Sequence, residues 1–120
     1  MAIIETESGF KTKKRGRHGE IGLMQIKPST ARWIAKKTKL PWHGKKQLED
    51  PATNIKIGAA YLAFLRKEFS EHKYLYLSAY NMGSKNVRKS MKKRVTPKKY
   101  AARVLRHYRA FYSRVASRQA

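Results

Sequence analysis

Apolar side chains recur along this chain at spacings of three and four rather than two, a pattern of helices joined by polar loops. The longest series, Tyr100, Val104, Tyr108, Phe111 and Val115, keeps a 3.6-residue period, and Thr96-Pro97 ahead of it supplies a cap and a first-turn proline. Ile55, Ala59, Leu62, Leu65 and Phe69 form a second series behind Asp50-Pro51, the same start signal. One face of that central helix is expected to be buried, with Gly58 admitting a close neighbour. Ser70 is expected to cap a further helix carrying Tyr74, Leu75, Leu77 and Ala79, which stops near Asn81-Met82-Gly83 because glycine suits a helix C-terminus. A short basic helix around Val87 and Met91 comes next.

The first third is less regular. Ala2 to Glu7 reads as a short helix, and so apolar a start suggests that an upstream turn has been removed. Between Gly9 and Gly19, three glycines and five lysines and arginines without periodicity predict an exposed basic loop. The run Ile21 to Ile26 is too short to classify, although a small hairpin within residues 15–26 is compatible with it. Pro28 opens a helix through about Thr38 with Trp33 and Ile34 on its apolar side, and core packing is the expected place of Trp33. Leu40 to Gly44 is a loop carrying Trp42. No sustained period-2 alternation and no internal repeat are visible, so the expected class is all-α, and 120 residues suit a single domain over 1–120.

Composition narrows the partners. The net charge is +22 at pH 7, far above the roughly 2–8 that keeps a small domain soluble, so a polyanion is the expected partner. Nucleic acid, an anionic membrane and a negatively charged envelope polymer all fit, and nucleic-acid binding is expected to be non-specific. With no cysteine there is no disulfide, thiolate nucleophile or Cys-ligated zinc, and the four histidines contain no i, i+4 pair, so neither a metal site nor a cofactor is expected. The apolar stretches fall short of the roughly 20 residues of a membrane-spanning helix, and Met1 to Glu5 lacks the features of a secretory signal.

Only seven acidic residues are available for acid–base chemistry. Asp50 reads as a helix cap, Glu49 faces the same helix N-terminus, and Glu68 and Glu71 occupy solvated positions. Glu5 and Glu7, two apart on one helix, point about 200° apart, so at most one enters a given cleft. Glu7 is the better candidate, because it lies at the helix end before Ser8-Gly9 and a long loop.

Glu7-Ser8-Gly9-Phe10 resembles the Glu-Ser-x-Phe block of lytic transglycosylases of the soluble type, relatives of goose-type lysozyme. Gly19 to Gln25 with Pro28-Ser29-Thr30-Ala31 resembles the family's second block, and Leu48 to Pro51 with Asn54-Ile55, Gly58 and Tyr61-Leu62 the third. Ala79-Tyr80-Asn81-Met82-Gly83 resembles the fourth, and Tyr100 with Val104-Leu105 the terminal helix. The resemblance implies a lysozyme-like helical fold that binds a glycan strand in a cleft, acting as a monomer on peptidoglycan in the periplasm or cell envelope. It implies cleavage of the β-1,4 bond between N-acetylmuramic acid and N-acetylglucosamine, with Glu7 as the sole acid/base and 1,6-anhydromuramoyl ends as product. A general acid must hold its proton near neutral pH, which apolar neighbours favour and basic neighbours oppose. Gln25, Tyr80, Asn81 and Tyr100 would contact the glycan, and Ser8 would orient Glu7 or satisfy the helix end.

Two positions depart from the pattern. Gly16 stands where many members have a substrate-contacting serine, and Glu20 where the family usually has alanine. Glu20 is expected to pair with the surrounding lysines and arginines. The alternative makes it a second carboxylate that activates water, which would turn the chain into a hydrolase. A third reading is an inert cationic module that binds nucleic acid or membrane through Lys98, Lys99, Arg103, Arg106 and Arg109.

Overall fold

The computed structural model describes residues 1–119, with side chains as far as Ser117. Its helices are α1 (Ala2–Ser8), α2 (Pro28–Thr38), α3 (Pro51–Glu68), α4 (Lys73–Met82), α5 (Ser84–Lys92) and α6 (Lys99–Gln119), with a 3-10 turn over Lys45–Glu49. No sheet forms among the described residues. The only extended pairings are two isolated antiparallel bridges, Arg15 with Ile21 and Ile21 with Ile26, which stand where a hairpin was compatible with the sequence. The class is all-α, as the spacing predicts.

Two compact units divide the chain: Glu7–Tyr61, and Met1–Thr6 together with the chain from Leu62 onward. In Glu7–Tyr61 the buried apolar groups are Ile21, Leu23, Met24, Ile26, Ala31, Ile34, Ala35, Leu48 and Ile57. Fully buried Asn54 sits among them and bonds to three backbone segments at once. Its Oδ1 accepts the Met24 N–H at 2.8 Å, and its Nδ2 donates to the carbonyls of Ile21 at 2.9 Å and Leu48 at 2.8 Å. A buried amide satisfied in this way stabilises, whereas an unpartnered one would cost about 1–3 kcal/mol per group. Gly22, at φ +83°, lies so close to the Asn54 amide and the Leu48 carbonyl that a Cβ would collide with both. Gly58 is packed against the Met24 thioether, the close approach expected of it.

The buried side of α3 is the expected one at Leu65 and Phe69, with Leu62 half-buried, but not in its first turns. Asn54, Ile57, Gly58 and Leu65 face inward, whereas Ile55 and Ala59 are exposed. Reading apolar letters alone shifts the stripe by about one position in these turns, because there the inner face holds a polar residue and a glycine. Trp33 also departs from expectation: it is 40% exposed, with the Lys37 ammonium 5.1 Å from its ring. Ala31, Ile34 and Ala35 form the inner side of α2, and a residue next to Ile34 points about 100° away from it. The Asp50 cap is as predicted, its Oδ2 accepting the Thr53 N–H at 3.0 Å and the Thr53 hydroxyl at 2.8 Å.

Within the second unit Leu65, Phe69, Leu77, Ala79, Val87, Ala101 and Val104 are buried. Ser70 does not cap α4. It takes φ +51° and closes α3, with its N–H on the Lys67 carbonyl and the Glu71 N–H on that of Arg66, the bond pair of a left-handed helix end. His72 precedes α4 instead, without a side-chain cap. Gly83, at φ +88°, ends α4 as expected. Helix α6 starts at Lys99, so Thr96-Pro97 lies ahead of it and does not supply the expected cap and first-turn proline; the Pro97 carbonyl instead accepts the Ser78 hydroxyl at 2.9 Å. Its apolar stripe is fully buried only at first: Tyr100 and Val104 are inside, Phe111 is half-buried, and Tyr108 and Val115 are exposed.

Candidate active site

Glu7 sits in the last turn of α1, half-buried, with Ser8 buried behind it. The chain then turns through two left-handed residues, Gly9 at φ +58° and Phe10 at φ +67°, and enters the basic loop. Lys14 ties the loop back, its ammonium donating to the main-chain carbonyl of Glu7 at 2.7 Å. The carbonyl of Lys14 accepts two further bonds, from the Gly22 N–H at 2.8 Å and from Gln25 Nε2 at 3.0 Å. One residue therefore links the peptide of Glu7 to the segment carrying Gln25.

Gln25 is buried at φ +50°. Its Nε2 also donates to the Gly22 carbonyl at 2.9 Å, so both amide hydrogens are engaged and Oε1 is turned toward Gly16. Glu20, half-buried, accepts the His18 backbone N–H on Oε1 at 2.7 Å and directs Oε2 at Gly16 as well. A Cβ on Gly16 would lie 2.7 Å from each of these two oxygens. The expected pairing of Glu20 with lysine or arginine is corrected: its carboxylate braces the loop backbone, because the neighbouring N–H is closer than any mobile cationic side chain.

The other carboxylates are also placed. Glu49 does not serve the α3 N-terminus but forms an ion pair with Arg15 at 2.6 Å. Glu68 is half-buried, binding Arg88 at 3.0 Å and the Ser84 hydroxyl at 3.1 Å, and Glu71 is exposed beside Arg66 at 3.3 Å. In its own unit Glu5 lies 3.5 Å from His107 Nδ1. Hydrogen bonds from the Thr53 backbone and hydroxyl hold the Asp50 carboxyl below its usual range. Tyr80 and Tyr100 are buried, Asn81 is exposed, and Trp42 is half-buried. No group of histidines and carboxylates suited to a metal is present among the described residues. Residue-type reasoning passed over Lys14, one lysine among many in its loop, and gave Asn54 no role although it stands in a recognised block.

This arrangement of helices is shared with solved lytic transglycosylases. The 70 kDa soluble lytic transglycosylase of Escherichia coli superposes with a TM-score of 0.82 at 32% identity, over 92% of this chain and 21% of that one. An inactive glutamate-to-glutamine mutant of the lytic transglycosylase Slt of Pseudomonas aeruginosa gives 0.87 at 29% identity, over 96% and 21%. The model of the transglycosylase SLT domain matches residues 1–102, and the chain belongs to that family. The soluble lytic murein transglycosylase of Salmonella typhimurium is 39% identical over 89 residues, 73% of this chain and 14% of the relative. Membrane-bound lytic murein transglycosylase E of Buchnera aphidicola is 36% identical over 104 residues, 77% and 45%. The chain thus spans between 14% and 45% of these relatives' length.

Proposed function

We propose that residues 1–120 act as one catalytic domain of a peptidoglycan lytic transglycosylase, with Glu7 as its single acid/base. The observation that carries this reading is Glu7 itself: half-buried, at a helix end tied through Lys14 to Gln25, and inside a family match that covers the loop as well. An inactive glutamate-to-glutamine mutant of the Pseudomonas relative supports dependence on one glutamate.

In this mechanism protonated Glu7 donates to the glycosidic oxygen between N-acetylmuramic acid and N-acetylglucosamine, and the leaving sugar departs with that proton. The substrate's N-acetyl group supports the developing positive charge, in place of the second carboxylate of other glycosidases. Ionised Glu7 then takes a proton from the muramoyl C6 hydroxyl as that oxygen closes on the anomeric carbon. The 1,6-anhydro ring forms, the acid is regenerated and no water is consumed. Because both amide hydrogens of Gln25 are engaged, it would offer Oε1 as an acceptor for a sugar N–H or hydroxyl. Tyr80, Asn81 and Tyr100 are assigned to glycan contact by family resemblance, and Ser8 to orienting Glu7. The substrate locates the enzyme in the periplasm or elsewhere in the cell envelope, where it acts as a monomer without a cofactor.

Mass analysis of digested peptidoglycan tests both the reaction and the residue. The expected ends are one water lighter than reducing ends, and Glu7→Gln, folded by circular dichroism, should lose activity by about 10²–10⁴-fold or more. Reducing ends in place of anhydro ends would move the assignment to hydrolysis with Glu20, whose half-buried carboxylate keeps that second reading specific.

A further inference from the structure

Charge on the last part of the chain has one sign. From His72 onward there is no aspartate or glutamate, against fourteen lysines and arginines. Eight of these fall within residues 85–99, which hold α5 and the turn after it, and all eight are exposed. Lys85, Arg88, Lys89 and Lys92 recur at helical spacing on the side of α5 away from buried Val87. Arg88 with Glu68 is the one ion pair found for this group among the described residues.

The turn after α5 has a defined geometry. The Val95 N–H bonds to the Ser90 carbonyl at 3.0 Å and the Arg94 N–H to that of Met91 at 2.9 Å, which places Arg94 in the left-handed position at φ +59°. Glycine takes that position without a Cβ penalty, yet here it holds an arginine. On either side of Lys92, Lys93 and Arg94 the turn exposes two apolar side chains, Met91 at 43% and Val95 at 57%.

Cations alone would suit any polyanion, but the apolar pair discriminates. The phosphate backbone of a nucleic acid offers Met91 and Val95 nothing apolar to meet unless base steps are opened to admit them. At a bilayer surface they enter the boundary below the headgroups while the neighbouring ammonium and guanidinium groups stay at the lipid phosphates. We propose that the turn from Met91 to Val95, with the basic side of α5, docks this chain onto an anionic lipid bilayer.

Co-sedimentation of the full chain with vesicles tests this, using phosphatidylcholine alone or with one third phosphatidylglycerol, in moderate salt. The chain should partition to the anionic vesicles only. Met91→Ser with Val95→Ser, both at exposed positions, should weaken that partition about tenfold while leaving binding to a DNA duplex unchanged. Removing Lys92 and Lys93 as alanines should weaken binding to both, by about fivefold per lysine at the vesicle. Equal partition to neutral vesicles, or full anionic binding by the Met91 and Val95 variant, would overturn the proposal. So would strong DNA binding without vesicle binding, which would give the patch to a phosphodiester strand.

Discussion

Residues 14–26 contain no helix, yet their key side chains and carbonyls each have a specific partner. Helix α6 is continuous from Lys99 to Gln119, yet Tyr108, Tyr112 and Val115 in its outer half are exposed. In the loop, order comes from directed bonds: the Lys14 carbonyl accepts two donors, Gln25 donates twice, and Asn54 gathers three backbone segments. In α6 it comes from hydrogen bonds along the helix, with full apolar burial at Tyr100, Ala101 and Val104 and partial burial at Leu105 and Phe111. Regular secondary structure and tertiary anchoring are therefore separate properties, and the candidate site uses the segment with less of the first and more of the second.

Substitutions in the two regions should differ accordingly. Asn54→Ala removes the bonds to the Met24 N–H and the Leu48 carbonyl and leaves the Ile21 carbonyl with the Ile26 N–H alone, and should destabilise by about 2–3 kcal/mol in urea titration. A loss under about 1 kcal/mol would show that the loop is held by something else. In α6, Val104→Ala should cost about 2 kcal/mol and Val115→Ala less than about 0.5 kcal/mol, although both lie on one apolar stripe. Equal costs would mean that the outer half is covered in solution. The smallest effect concerns Asp50. Its carboxyl is held below the unfolded value by the Thr53 bonds, so its contribution is present above about pH 4 and fades as acid protonates it. Melting curves should show Asp50→Ala slightly less stable than the parent at pH 7, with the gap closing toward pH 3.

The same contrast governs what could be read in advance. The existence of the helices follows from apolar spacing and from Asp50-Pro51, Gly83 and similar punctuation, although the starts of α4 and α6 lie two or more residues beyond Ser70 and Thr96. How far each apolar stripe is covered does not follow, as Tyr108, Val115 and Trp33 show, because a side chain's periodicity states its direction and says nothing of its neighbours. The buried face of the first turns of α3 was hidden for a related reason: it holds Asn54, polar by letter and interior only because three carbonyl and amide groups meet it. Glu7 and Gln25 could be singled out through the family blocks. Their linkage through Lys14 could not, since it runs through main-chain carbonyls that carry no mark of residue type.

Gly16 carries a consequence for the order in which sequence changes can be accepted. The volume a side chain would need there is already taken by Glu20 and Gln25, each anchored at its other end. Serine at 16 would oblige the oxygen ends of Glu20 and Gln25 to shift, and alanine at 20 would remove one of those obstacles. A side chain at 16 is thus accommodated most easily together with a small residue at 20, and the two positions should covary among relatives.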